Sequence, residues 1–243
     1  MPEYKERFYR SQISSPDWIS FTIQVKESDL WLRARKDLTK EGYERVYKYR
    51  HALETYIRQK PEFKESLLPL PLDPLAPPIV QAMLQAAQAA GVGPMASVAG
   101  AVAQFVGQDL IELSRDIIIE NGGDLFIVCN EPLTVGIFAG GSPLSGRLGL
   151  FLTPSPNPVG LCTSSGTVGP SLSFGKADAV TILSSSATLA DAVASAVGNR
   201  VQSAKDIPSA LDWGQQIPEV EGVLIIVGDQ MGVWGGIELV SIS

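Results

Sequence analysis

The sequence is poor in residues that carry metal sites, disulfides and proton transfer. Among 243 residues there is one histidine, His51, and there are two cysteines, Cys129 and Cys162. The cysteines lie far apart without a Cys-x-x-Cys pair, so we expect buried free thiols in a reducing compartment and no zinc site. His51 falls within a predicted amphipathic helix, where a lone histidine is more often a packed or surface residue than a base.

Positive charge is scarce over most of the chain. Residues 1–65 contain 14 Lys and Arg against 11 Asp and Glu, the remainder contains five against 15, and the formal net charge is −7. Lys and Arg contacts to phosphates provide most of the affinity for nucleic acids. Because no basic stripe follows residue 65, we expect no nucleic-acid partner.

Neither a signal peptide nor a membrane span is predicted. The N-terminus, Met-Pro-Glu-Tyr-Lys-Glu-Arg, has charges where a signal peptide requires an apolar core. The most apolar stretch, residues 79–106, contains glycine, proline and four glutamines, which favours core helices. We therefore expect a cytoplasmic protein without membrane contact.

Helix and strand patterns alternate twice along the chain. With 45% hydrophobic and 19% charged residues, the composition is that of a well-packed protein. Glycine-rich turns separate alternating runs, and proline marks an extended strap. The predicted elements are a hairpin at 18–35, helices at 39–59, 79–90 and 95–113, a strap at 66–78, a hairpin around 121–124, a strand at 134–139, a strand at 179–183, a helix from Ser186, and a final hairpin at 222–240 with a bulge at Gly235–Gly236. This pattern predicts an α+β single domain over residues 1–243.

The segment 159–199 is the expected centre of function. An apolar strand end opens into a loop of small hydroxyl residues and glycines, followed by a second strand and a helix. Such a loop leaves backbone N–H groups uncovered, which favours an anion-binding nest. We therefore expect a ligand that carries phosphate, bound by residues Thr163, Ser164, Ser165, Gly166 and Thr167.

Two further glycine-rich turns are candidate parts of the same site. The turn Asn121-Gly122-Gly123-Asp124 combines bare backbone with a carboxylate, which suits a nucleotide or a cation as well as a tight hairpin. The loop 140–149 carries Arg147, and Lys176 lies beside another glycine. Isolated cations beside such loops indicate phosphate partners, with a salt bridge as the structural alternative.

Six motifs resemble those of an uncharacterised UPF family of ApbE-like proteins, over nearly the whole chain. They are Gly-Pro-Met-Ala-Ser-Val-Ala-Gly from Gly93, Glu-Asn-Gly-Gly-Asp from Glu120, Ser-Pro-Leu-Ser-Gly-Arg-Leu-Gly from Ser142, Cys-Thr-Ser-Ser-Gly-Thr-Val-Gly from Cys162, Ser-Phe-Gly-Lys-Ala-Asp from Ser173 and Gly-Asp-Gln-Met-Gly-Val-Trp-Gly from Gly228. Three stretches are more distantly similar to ApbE itself: Asn-Gly-Gly-Asp, Thr-Ser-Ser-Gly, and Ala-Thr-Leu-Ala-Asp-Ala-Val-Ala-Ser from Ala187.

This resemblance implies a fold, a cofactor and a chemistry. ApbE proteins are magnesium-dependent FAD:protein FMN transferases, which attach FMN to a threonine of a target protein. Their fold is a duplicated T-fold-like α+β unit with the flavin site between the halves. For this chain the resemblance implies approximate halves 1–140 and 141–243, a flavin nucleotide (FAD or FMN) and Mg²⁺ as cofactors, and a possible protein target. We also expect a homodimer, because the exposed hairpin edges of such sheets need covering.

The resemblance also assigns candidate metal ligands. In ApbE an Asp on a helix, followed four residues later by Thr, helps to hold the metal, and the matching positions are Asp191 and Ser195. A spacing of four puts both on one helical face, and hard oxygen ligands suit magnesium. The alternative is structural, because Thr188-Leu-Ala-Asp191 is also a capping-box pattern.

Two departures from the ApbE pattern bear on catalysis. The histidine that ApbE carries after its Thr-Ser-Gly loop is replaced near Pro170, and the ApbE lysine falls near Ser97. Activation of a target threonine then requires another base, for which Asp124 or Asp178 with a raised pKa is the candidate. Flavin binding needs less: backbone donors, a cation and an apolar shelf such as Trp234 or Phe174.

Three hypotheses therefore stay open. The protein binds a flavin nucleotide, with Mg²⁺ at Asp191. Alternatively it is an enzyme, a flavin transferase or FAD pyrophosphatase with metal-assisted phosphoryl attack. In the third hypothesis it is a non-catalytic scaffold or partner protein whose glycine loops only pack. A nucleophilic role for Cys162 has no nearby base in the sequence to support it.

Overall fold

The computed structural model describes residues 17–166 and 174–242. The strands are β1 Ile19–Val25, β2 Ser28–Ala34, β3 Ile117–Asn121, β4 Asp124–Cys129, β5 Leu133–Gly136, β6 Leu148–Leu152, β7 Ser155–Ser164, β8 Ala179–Ser184, β9 Val220–Val227, β10 Gln230–Gly235 and β11 Glu238–Ser241. The helices are α1 Thr39–Gln59, α2 Glu62–Glu65, α3 Pro78–Ala90, α4 Val98–Leu110, α5 Ala187–Arg200 and α6 Ile207–Gly214, with short 3-10 turns at Pro94–Ser97 and Ala204–Asp206.

Within the described residues, eight strands form one antiparallel sheet with a repeated arrangement. The order is β1-β2-β3-β4-β7-β8-β9-β10, and a smaller sheet has the order β11-β6-β5. In each half of the large sheet a hairpin is followed by helices and then by a second hairpin. Pairing of β4 with β7, which sets Asp124 opposite Cys162, joins the halves into one sheet. The predicted α+β class with antiparallel sheets and packed helices is confirmed.

Two hydrophobic cores cover the two faces of the large sheet. One lies under the helices and includes Val106, Val193 and Ile225. The other lies under the small sheet and includes Leu150 and Leu224. Adjacent residues Leu224 and Ile225 face different cores because side chains alternate along a strand. β9 therefore has to be apolar on both faces, which explains its uninterrupted run Val-Leu-Ile-Ile-Val.

Helix α5 lies directly on β7, and this contact positions the candidate site. Ser186 is its N-cap, and the Ser186 side chain accepts a hydrogen bond from the Leu189 amide. A Cβ on Gly160 would lie 2.4 Å from the backbone nitrogen of Ala187. Only glycine allows so close an approach of helix and strand.

Several local predictions differ from the structure. The predicted bulge at Gly235–Gly236 is wrong, because β10 ends at Gly235, where φ is +79°, and the chain crosses to the small sheet as β11. The predicted helix 95–113 is a 3-10 turn followed by the shorter α4. The expectation of buried free thiols is confirmed for Cys129 and Cys162. His51 is exposed on α1 and stacks on Tyr47, with the ring centroids 6.1 Å apart.

The apolar helices do not form a straight membrane-length segment. In the described residues, no one helix has both the length and the apolar character required to cross a bilayer. The pair Pro78–Ala90 and Pro94–Leu110 has them only when taken together, and it is bent by 104°. Much of both helices is buried against the rest of the chain.

Candidate functional site

The turns singled out in the sequence lie along one edge of the large sheet. Register places Ser164, at the end of β7, opposite Val180 near the start of β8, and Ala179 opposite Ile226 near the end of β9. The turn that begins at Asn121 connects β3 and β4 at this same edge, because Asp124 pairs with Cys162. Neighbouring strands lie about 4.8 Å apart, so the turns form a continuous row.

The turn 121–124 is fastened to the start of α4. Gly122 and Gly123 have φ values of +72° and +113°, which only glycine adopts readily. Nδ2 of Asn121 donates to the carbonyl oxygen of Ala99 at 3.1 Å, and Oε1 of Glu120 accepts from the Gly123 amide at 3.0 Å. These bonds hold the turn in one conformation and bring Asp124 under the helices.

Asp124 and Cys162 form the buried floor of the site. Asp124 is 8% exposed and Cys162 is fully buried. Burial raises the pKa of Asp124 well above its ordinary value, and the nearby Asp191 carboxylate raises it further. Burial and the same two carboxylates also raise the pKa of the Cys162 thiol. The thiol therefore stays protonated and donates to the carbonyl oxygen of Ala187 at 3.3 Å, which argues against a nucleophilic role.

Asp191, on α5, faces the N-terminus of α4. Its Oδ2 accepts from the Gly100 amide at 2.9 Å. Burial raises the pKa of Asp191 to about 7, although hydrogen bonds from the Gly100 and Ala99 amides act to lower it. Thr188 does not cap α5, because Ser186 does. Asp191 does cover backbone donors, as the structural alternative requires, but they belong to the first turn of α4.

Ser195 lies one helical turn beyond Asp191 and is half-buried. Further along α5, a Cβ on Gly198 would lie 3.7 Å from Oγ of Ser164, so α5 leads from Asp191 towards the hydroxyl residues at the end of β7. Helix α5 therefore runs along the candidate site from Asp191 to the end of β7 at Ser164.

The hydroxyl loop is only partly free to bind an anion. Ser164 and Ser165 are half-buried and Gly166 is exposed, but the Gly166 amide donates to the carbonyl oxygen of Ala177 at 2.9 Å. Thr163 faces the opposite side of the sheet, where its Oγ1 lies 2.9 Å from Oγ1 of Thr181. The predicted contributions of Thr167, and of Pro170 in place of the ApbE histidine, lie outside the described residues.

Asp178 and Lys176 lie further along the same edge. Oδ2 of Asp178 accepts from the Gly228 amide at 2.7 Å, which anchors the β9–β10 turn. Asp178 directly precedes β8, which β7 separates from β4, so Asp178 and Asp124 lie on strands that are not neighbours. Lys176 is exposed, and its amide donates to the carbonyl oxygen of Val201 at 2.7 Å.

The loop 140–147 approaches this edge from the small sheet. Oγ of Ser142 donates to the Gly228 carbonyl oxygen at 2.5 Å. Arg147 is exposed, and its carbonyl oxygen accepts from the Ile242 amide at 2.9 Å. Of the two candidate apolar shelves, Trp234 packs against the helix-side core, whereas Phe174 is 58% exposed beside the Lys176 segment.

Sequence reasoning missed the residues that orient Asp191. Gly100 and Ala99 provide its amide partners, and Gln104 on α4 contacts the first turn of α5. The small residues of α4 were the available signal, but the sequence did not show which surface they approach. A Cβ on Gly100 would lie 2.3 Å from the Ala187 carbonyl oxygen, so the partner is α5.

The fold defines a class of protein. Over 90% of this chain and 94% of the other, the structure is similar to the crystal structure of the flavinyl transferase ApbE from Pseudomonas stutzeri, with a TM-score of 0.59 and 14% identity. The ApbE protein from Thermotoga maritima gives a TM-score of 0.55 and 13% identity over 88% of this chain and 96% of that one. The chain thus has an ApbE-like fold.

Sequence comparison gives the family. Residues 10–233 match the family model described as AbpE bacteria, and the chain belongs to that family. It is 39% identical to a UPF0280 protein of Methanocella arvoryzae over 87% of this chain and 86% of that protein. It is 46% identical to a UPF0280 protein of Methanothrix thermoacetophila over 76% of this chain and 78% of that protein. It is 39% identical to a UPF0280 protein of Methanocaldococcus jannaschii over 90% of this chain and 92% of that protein.

Proposed function

We propose that this protein binds a flavin nucleotide, FAD or FMN, together with Mg²⁺ at the sheet edge formed by β4, β7 and α5. The observation that carries the proposal is the pair of buried carboxylates, Asp124 and Asp191, in an ApbE-like fold. In the described part of the chain, neither carboxylate forms an ion pair with Lys, Arg or His. Burial without a cationic partner disfavours the ionised form of each carboxyl group. A bound cation would offset this cost of desolvation.

The residues present fit Mg²⁺ better than a softer metal. Asp191, Ser195 and Asp124 offer carboxylate and hydroxyl oxygens, the hard ligands that Mg²⁺ prefers. Among residues 17–166 and 174–242, no three or more His, Cys, Asp and Glu side chains are grouped as metal ligands. Mg²⁺ suits such a sparse set, because it commonly retains water and is completed by ligand phosphates. When bound, Mg²⁺ would supply charge stabilisation at a phosphoryl group.

The nucleotide would lie along this row of turns. Asn121, Gly122 and Gly123 form one wall, Ser164, Ser165 and Gly166 form the second, and Lys176 and Arg147 lie further out as candidate phosphate partners. Phe174 provides an exposed ring for stacking. Thr167, the remaining residue of the sequence prediction, lies outside the described residues. In this proposal the site lies where the two halves, 1–140 and 141–243, meet.

Flavin titration tests this proposal. Flavin fluorescence of FAD and FMN is followed as protein is added, with and without Mg²⁺, for the wild type and for Asp191→Asn. We expect saturable binding that Mg²⁺ strengthens in the wild type, and loss of most of the Mg²⁺ effect in D191N. Absence of flavin binding by the wild type would overturn the proposal and would favour a non-catalytic scaffold.

A second candidate function is FMN transfer to a protein target, or hydrolysis of FAD to FMN. The observation that favours it is Asp124, a carboxyl group whose pKa burial raises well above its ordinary value, as a general base requires. Asp178 is the second candidate base. Chromatographic detection of FMN released from FAD, or attached to added protein, distinguishes this function from binding alone. Activity that persists at wild-type level in both D124N and D178N would exclude these bases.

Partner and location also belong to the proposal. Among residues 17–166 and 174–242, β1 and β10 are the outermost strands of the large sheet, and an edge strand is open to pairing. We propose a homodimer in the cytoplasm, with no nucleic-acid or membrane partner. Light scattering coupled to size-exclusion chromatography measures the oligomeric state, and a monomer would contradict that part.

A further inference from the structure

Helices α4 and α5 cap each other. Oδ2 of Asp191 on α5 accepts from the Gly100 amide in the first turn of α4. In return, Oε1 of Gln104 on α4 accepts from the Thr188 amide at 3.0 Å, from Oγ1 of Thr188 at 3.1 Å and from Oγ of Ser186 at 3.0 Å. Each helix therefore satisfies backbone donors that the other leaves open at its N-terminus.

The two sets of contacts fix how α5 lies on α4. The helix backbones are in direct contact, since a Cβ on Gly100 would lie 2.3 Å from the Ala187 carbonyl oxygen and 2.8 Å from Cβ of Asp191. Apolar packing alone tolerates small sliding and rotation between helices, whereas an amide oxygen with three donors has directional preference. Because α5 rises about 1.5 Å per residue, even a small slip displaces Asp191 by a distance that matters to a metal ligand.

We propose that Gln104 is a positioning residue for Mg²⁺ binding at Asp191. It does not touch the ion; it holds the first turn of α5, so that the Asp191 carboxylate keeps its orientation beside Asp124. This inference rests on the proposed function and deepens it. Residues that orient metal ligands typically change metal affinity about 10–100-fold when they are removed.

The test compares two substitutions at the same position. Gln104→Leu keeps the approximate size but removes the acceptor, whereas Gln104→Glu keeps an acceptor for all three donors. Gln85→Leu, at an exposed position on α3, is the matched control for replacing an amide by leucine. Mg²⁺ affinity is measured by calorimetry without flavin, and thermal unfolding is measured with and without Mg²⁺. We expect about a tenfold loss of affinity in Q104L, a change of less than about threefold in Q104E, and no change in Q85L.

The two readouts separate positioning from a merely structural role. A structural role would lower the melting temperature of Q104L equally with and without Mg²⁺. An unchanged increase of the melting temperature on addition of Mg²⁺ would therefore overturn the inference.

If Q104L does not fold, Thr188→Val provides the test, since it removes one hydroxyl donor to Gln104 and keeps the Thr188 amide. A weakened Mg²⁺ affinity in T188V supports the inference, and wild-type affinity overturns it. Wild type that binds no Mg²⁺ overturns both the Mg²⁺ part of the proposed function and this inference, whereas equal binding by wild type and a folded Q104L overturns only the inference.

Discussion

The chemistry of single residues at this site is set by a competition between burial and hydrogen bonding. For Asp191, desolvation disfavours the carboxylate, while the Gly100 and Ala99 amides at the start of α4 favour it. Burial wins, because the pKa is raised to about 7. Burial also raises the pKa of the Cys162 thiol and keeps it protonated. The same environment thus disfavours both the Asp191 carboxylate and the Cys162 thiolate.

The raised pKa predicts a pH-dependent stability in Mg²⁺-free protein. The unfolded Asp ionises near pH 4 and the folded Asp191 near pH 7, so between these values the unfolded state binds fewer protons. The free energy of unfolding should therefore fall as pH rises from about 4 to about 7, by up to about 1.4 kcal/mol per pH unit for this group, and the contribution should level off above that range.

Urea unfolding over this pH range measures the effect. Asp191→Asn should show a shallower fall, because it removes the titrating group, and Mg²⁺ should have the same effect on the wild type. Identical pH slopes in wild type and D191N would show that Asp191 does not have the raised pKa.

At the scale of elements, the α4–α5 contact sets the position of Asp191 relative to the first turn of α4. The strip of small residues on α4 lets the two helices approach until backbone meets backbone at Gly100. Large side chains there would separate the N-terminal amides of α4 from Asp191. The close packing of α4 against α5 therefore also determines which backbone amides donate to Asp191.

Replacing Gly100 by alanine tests this contact. The added methyl group would lie 2.3 Å from the Ala187 carbonyl oxygen, so α5 must shift. We expect a loss of about 1–3 kcal/mol in the free energy of unfolding, as for other overpacked positions, and weaker Mg²⁺ binding. Gly141→Ala is the control, since nothing lies within 4 Å of its added Cβ. Equal stability of G100A and G141A would mean that the helices do not approach so closely.

At the scale of the whole molecule, the large sheet is shared between two cores. Pairing of β4 with β7 makes the halves one continuous sheet, and the small sheet covers the face away from the helices. Strands with both faces buried transmit a defect in one core to the other. We therefore expect the chain to unfold as one cooperative unit.

Truncation of Leu150 on β6 tests this cooperativity. Leu150 is 1% exposed in the core under the small sheet, so Leu150→Ala should lower the free energy of unfolding by about 2–5 kcal/mol. The half-buried Leu152→Ala should have a smaller effect. Circular dichroism and tryptophan fluorescence should report the same shifted transition in urea. Two separate transitions would show instead that the small sheet unfolds independently.

Local patterns predicted the elements that depend on neighbouring residues. The hairpin around Asn121–Asp124 follows from glycines that adopt positive φ, and α1 was predicted with its observed ends from period and charge. The predicted bulge at Gly235 was wrong because a glycine with positive φ marks a change of direction without indicating which sheet receives the next strand. That choice depends on the pairing of β11 with β6, about 90 residues away in sequence.

The sequence by itself determined the α+β class, the turns and the chemical types available at the site, because periodicity and glycine placement act over a few residues. It also carried the motifs that resemble ApbE. Only the tertiary structure decided that Asp191 caps α4, that Asp124 lies near Asp191, and that burial raises the pKa of the Cys162 thiol. Those facts depend on burial and on contacts between residues far apart in the chain, such as Gly100 and Asp191, and desolvation has no magnitude until the fold excludes water.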